Sequence, residues 1–137
     1  MNQGKYIFSQ VMELVSHKVF NACVKRYKGD YKTKQFSCWK QFLCMAFGQL
    51  THRESLSDTI LCLRANAGKL YHMGIGQAIA KSTLSNANES RDCRIFSDIA
   101  MVLIEEAKSL YLNDSDLEVD LKKNVFAIDA TVIDVCL

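Results

Sequence analysis

The sequence predicts a mainly α-helical protein that turns to β structure only near its last residues. Three observations carry this. The 137 residues include no proline and only 6 glycines, so little punctuates long helices. Apolar residues recur at spacings of three and four over much of residues 5–111, the mark of amphipathic helices. The final stretch, NVFAIDATVIDVCL, abandons that period. Its apolar, β-branched runs Val125–Ile128 and Ala130–Ile133 read as a strand covered on both faces.

Residues 5–27 read as helix, with a break near Ser16–His17 and a stripe of Phe8, Val11, Met12, Val15, Val19, Cys23 and Tyr27. The segment KRYKGDYKTKQF follows, with Gly29–Asp30 as a turn signal. It carries Lys25, Arg26, Lys28, Lys32 and Lys34, with Tyr27 and Tyr31 between them. Such interleaving suits phosphates and stacked bases; a soluble loop whose tyrosines cap the core accounts for it as well.

Ser37 is a suitable N-cap for the clearest helix. There Trp39, Phe42, Leu43, Ala46, Phe47 and Leu50 form a wide apolar face, which reads as core. After the polar break Thr51–Glu54, Ser55 and Asp58 form a capping box for a helix with Leu56, Ile60 and Leu63 inward. The pair resembles a helix-turn-helix, and equally any helical hairpin. Residues 65–79, with Gly68, Gly74 and Gly76, read as a loop without a phosphate-binding fingerprint. Within it His72 has no visible acid or nucleophile partner and reads as structural.

Ser82 is a candidate cap for the short polar helix STLSNANESR. Its Ser82, Thr83, Asn86, Asn88 and Arg91 are side chains that contact phosphates or read base edges, or they simply make a capped surface turn. Residues 91–111 are firmly helical, with Ile95, Ile99, Leu103, Ala107 and Leu110 as the stripe. Residues 113–120 are acidic and aperiodic, a linker into the terminal strand. A carboxylate inside such a strand is costly to bury unless it is paired or holds a metal, which makes Asp129 the leading candidate for chemistry. One strand cannot satisfy its own backbone groups. With no second strand in view, the expectation is the front part of a longer protein.

Composition narrows the class. No apolar run is long enough to span a bilayer, and the N-terminus lacks a secretory signal, so no membrane is expected and the cytoplasm is the default compartment. The 6 cysteines form no C-x-x-C pair and read as reduced core thiols. A zinc site from Cys38, Cys44, His52 or His72 is conceivable, but the spacings match no zinc pattern. The net charge of +2 hides an asymmetry: residues 1–90 hold 12 Lys and Arg against 5 Asp and Glu, and residues 91–137 hold 5 against 10. A basic front suits a polyanion such as DNA, and a solvated lysine-rich surface explains the charge equally.

The segments FSCWKQFLCMAFGQLTHRESLSD, KLYHMGI, KSTLSNANESRDCRIFSD and FAIDATVIDVCL, in this order, resemble the N-terminal part of a DDE-type insertion-sequence transposase with a ribonuclease-H-like catalytic domain. Cys93 stands where a tryptophan is expected in relatives. The resemblance implies a helical DNA-binding-type domain over residues 1–75, a helical segment and acidic linker over 76–120, and over 121–137 the first β-strand of a truncated ribonuclease-H-like α/β domain. It implies that Asp129 is the first acidic residue of the catalytic triad and a ligand for Mg²⁺ or Mn²⁺. It implies double-stranded DNA, at transposon ends, as the partner of a nucleoid-associated bacterial protein, with a homo-oligomer as a further expectation. Two-metal phosphoryl transfer needs a cluster of carboxylates, and a lone one holds Mg²⁺ poorly. The fragment is therefore expected not to cut or join DNA unaided. The competing readings are a regulatory DNA-binding module without catalysis and a helical protein-interaction domain.

Overall fold

Helix α3, Cys38–Leu50, is the centre of the molecule. Its start is fixed by Ser37, whose hydroxyl accepts the amide of Lys40 at 3.3 Å. The expected apolar face is only part of what it buries. Cys38, Gln41, Cys44 and Gly48 are buried as well, and Leu50 is 53% exposed. The reason is that α3 is covered on two sides. In the computed structural model, which describes residues 6–111, one apolar cluster joins Leu43, Cys44 and Phe47 to Ile60, Leu63, Leu70 and Leu84. A second joins Cys38 to Phe20, Val24, Ile95 and Ile99. Trp39 and Phe42 touch both.

The N-terminal region is broken, as expected, into α1 (Ile7–Met12) and α2 (His17–Arg26). The break changes the helical phase. Val11 therefore lies 37% exposed, whereas Phe20 and Val24, outside the expected stripe, are buried. Phe20 stands edge-on to Trp39 at 4.9 Å between ring centroids, a favoured aromatic geometry. Full burial of one such side chain is worth roughly 1.5–3 kcal/mol.

Helix α4 is Leu56–Ala65. Ser55 accepts the amide of Asp58 at 3.1 Å, the expected first half of a capping box. α4 crosses α3 where Gly48 leaves room for Thr59. The glycine-containing loop then makes a short 3₁₀ turn, Ala67–Lys69. It is not a surface loop throughout: Leu70, Met73, Ile75 and Ile79 are buried in the first cluster.

Helix α5 is Lys81–Ser90, packed on α3 and α4. Its N-cap is Ala80 in an extended conformation, with no side-chain cap. Ser82, expected to cap it, sits inside the first turn. Helix α6, Arg94–Tyr111, packs on α2 through Ile95 and Ile99. Ala107, expected in its stripe, is exposed. The packing thus runs across residue 75. No strand occurs among the described residues, and the strand expected over residues 121–137, with Asp129, lies outside them. No helix among the described residues is long and apolar enough to cross a membrane.

Candidate nucleic-acid interface

The basic segment takes its shape from the end of α2. Gly29 N–H donates to the Val24 carbonyl at 2.9 Å and Lys28 N–H to the Lys25 carbonyl at 3.2 Å, the paired bonds of a Schellman ending. The residue that must turn left-handed there is Lys28, with φ 53°, at a position that usually holds glycine. Gly29 follows because nothing larger fits: a Cβ there would lie 2.4 Å from Ile95 Cδ1 and 2.7 Å from Cys38 Sγ.

Asp30 then ties the loop to the core. Its Oδ1 accepts the Cys38 amide at 2.7 Å, placing a carboxylate at the positive end of α3. Arg91, at the end of α5, secures the other side. Its Nη2 donates to the Phe36 carbonyl, its Nη1 donates to Gln41 Oε1 at 2.7 Å, and Asp30 lies 3.7 Å away. The Arg91 side chain is 9% exposed, and its guanidinium also covers the Phe36 ring at 5.6 Å.

These ties bring the loop against α5 and leave a cleft of about 520 Å³ between them. Tyr31, Phe36, Lys28 and Lys34 line it from the loop. Thr83, Asn86 and Ser90 line it from α5, at spacings that place them on one helical face. Asp92 also reaches the cleft, but its charge is spent on Arg94: Arg94 Nη2 bonds to Oδ2 at 2.6 Å and the Arg94 amide to Oδ1 at 2.9 Å. Hydrogen bonds from Arg94 hold the Asp92 carboxyl below its ordinary range. No described acid within salt-bridge reach neutralises Lys28 or Lys34, so the rim is cationic.

The sequence candidates therefore divide. Lys28, Lys34, Thr83 and Asn86 meet at the cleft. Lys32 is exposed beside it, 5.3 Å from the Tyr31 ring centroid. Lys25 and Ser82 are exposed and do not line it. Arg26 turns away to Asp98 at 2.6 Å, with Tyr27 donating to the same oxygen at 3.0 Å. Asn88 accepts from Gln41 Nε2 at 2.6 Å and donates to the Met45 sulfur. Arg91 is committed to the ties just described. Sequence reading passed over Ser90, although Thr83, Asn86 and Ser90 share a helical period, and Phe36.

Among the described residues no group of three or more His, Cys, Asp or Glu could hold a metal. Cys38 and Cys44 are buried thiols pushed up to about 12, chiefly by desolvation; Cys93, by contrast, is exposed. The His72 ring lies near those of Tyr6 and Tyr71, and its carbonyl accepts from Ser9.

No curated protein and no solved structure matches the chain. A family model, described as a domain of unknown function (DUF4372), matches residues 3–76, which is more than half of the 137 and spans α1 to α4 with the basic loop. The chain belongs to the DUF4372 family.

Proposed function

We propose that the helical domain is the DNA-binding N-terminal module of a DDE-type transposase, and that the cationic rim of the cleft between the basic loop and α5 is where it meets double-stranded DNA. The observation that carries this is the meeting of Lys28 and Lys34 with Thr83 and Asn86 at one site. Two segments about fifty residues apart, each of phosphate- or base-binding character, share one cationic edge. The family match supports the reading, since DUF4372 is an N-terminal domain found in transposase-like proteins.

On this reading strand cleavage belongs to a catalytic domain in which Asp129 would be the first metal-holding carboxylate, for Mg²⁺ or Mn²⁺. On the same reading, the share of the described helices is binding and positioning.

The test is duplex binding by the full chain at rising salt. Log affinity is expected to fall linearly with log salt, and each neutralised phosphate contact removed should lower the slope by about 0.9. The variant carrying Lys28→Gln with Lys34→Gln should lose close to two such contacts. Absent or salt-independent binding overturns the proposal. It would favour a protein-interaction module instead, a reading for which α6 offers the exposed Met101 and Ile104.

A further inference from the structure

We infer that the cleft takes one unpaired nucleotide of a DNA strand, rather than reading a paired groove. The inference rests on the DNA-binding reading above and specifies what enters the site. Shape is the first argument. Groove readers push a helix or ribbon outward into a groove about 12 Å wide. Here the candidate residues line a concavity, and its volume of about 520 Å³ falls within the roughly 300–1,000 Å³ of small-ligand pockets. A duplex cannot enter it, whereas a base swung out of the stack can.

The lining is the second argument. Tyr31 is 71% exposed yet faces the cleft, so its ring is available at little cost. Phe36 provides a second aromatic surface, held by Arg91, whose guanidinium lies over the ring and also lines the cleft. Exposed aromatic faces beside free cations are how single-stranded nucleic acid is held, with bases stacked and phosphates paired. Lys28 and Lys34 provide the cations.

Polar groups opposite complete the site. Asn86 has no side-chain hydrogen-bond partner among the described residues. Its amide offers one acceptor and two donors, the pairing that reads a base edge exposed by unstacking. Thr83, one turn earlier on the same face, adds a hydroxyl. The loop's ties through Asp30 and Arg91 keep the two walls at a fixed separation, so the cleft is formed before the ligand arrives.

The experiment compares the full chain on an intact duplex and on the same duplex carrying a single unpaired 2-aminopurine. The bulged duplex is expected to bind about 10-fold tighter, in line with the stacking contribution of one base, and the 2-aminopurine emission should be quenched. Tyr31→Leu should abolish both the preference and the quench while leaving the salt slope unchanged, because the lysines remain. Equal, salt-dependent affinity for the two duplexes without quenching overturns this inference and leaves DNA binding standing. Failure to bind either duplex overturns both.

Discussion

Arg91 Nη1 and Gln41 Oε1 are joined by a 2.7 Å hydrogen bond across fifty residues of sequence. Gln41 is 2% exposed, so the arginine satisfies an amide oxygen that water reaches poorly, and it binds the Phe36 carbonyl at the same time. Arg91→Ala strands both acceptors. Losing charged hydrogen bonds to buried groups costs about 2–3 kcal/mol, which for a domain of this size lowers Tm by roughly 10 °C. Urea unfolding of the variant checks this; a midpoint shift no larger than that of a surface substitution contradicts it.

Two glycines are expected to resist substitution and a third to accept it. A Cβ on Gly29 would strike Ile95 and Cys38, and one on Gly48 would lie 2.8 Å from Thr59 Oγ1; Gly68 has nothing within 4 Å. Overpacking of this kind costs about 1–3 kcal/mol. Gly29→Ala and Gly48→Ala should each lower stability by that amount, and Gly68→Ala should change it by less than about 0.5 kcal/mol. Thermal melts of the three variants separate the outcomes.

Lys28 and His52 both occupy left-handed positions, at φ 53° each. His52 ends α3 as Lys28 ends α2, with Arg53 N–H bonded to the Gly48 carbonyl at 2.9 Å. A non-glycine residue there carries about 1–2 kcal/mol of strain, partly offset by the greater unfolded-state freedom of glycine. His52→Gly should raise stability by roughly 0.5–1 kcal/mol and leave DNA binding alone. Lys28→Gly should be similarly stabilising but weaken DNA binding. A variant at Lys28 that keeps full affinity would remove this residue from the interface.

The buried thiols set an alkaline limit on stability. Cys38 and Cys44 ionise near 9.0 when unperturbed and near 12 in the fold, so the native state holds their protons more tightly than the unfolded chain does. This contribution is intact below about pH 9, falls as pH climbs, and is gone above the folded value. Cys44→Ala should flatten the fall in Tm between pH 9 and pH 11. Thiol-reactive reagents at pH 8 should label the exposed Cys93 well before Cys38 or Cys44.

The helices were legible because their signals are local. Ser37 and Ser55 cap where the sequence places them, and the Ser16–His17 break is real. Burial was less legible wherever a helix meets more than one neighbour. A single stripe read through the break missed Phe20 and Val24, because the turn rephases the chain. A single face on α3 missed Gln41, because the far side is covered too. The cleft could not be read at all. Its two walls were each noticed for their chemistry, but what joins them is Asp30 on the Cys38 amide and Arg91 on the Phe36 carbonyl. Neither bond leaves a periodic trace. Arg91 and Asn88, candidate donors for DNA, both bond to the buried Gln41 instead.

Trp39 and Phe42 belong to both apolar clusters. A shared pair of aromatics means that neither half can loosen without exposing part of the other's lining. The domain should therefore melt in one all-or-none transition, with tryptophan fluorescence and helical circular dichroism changing together.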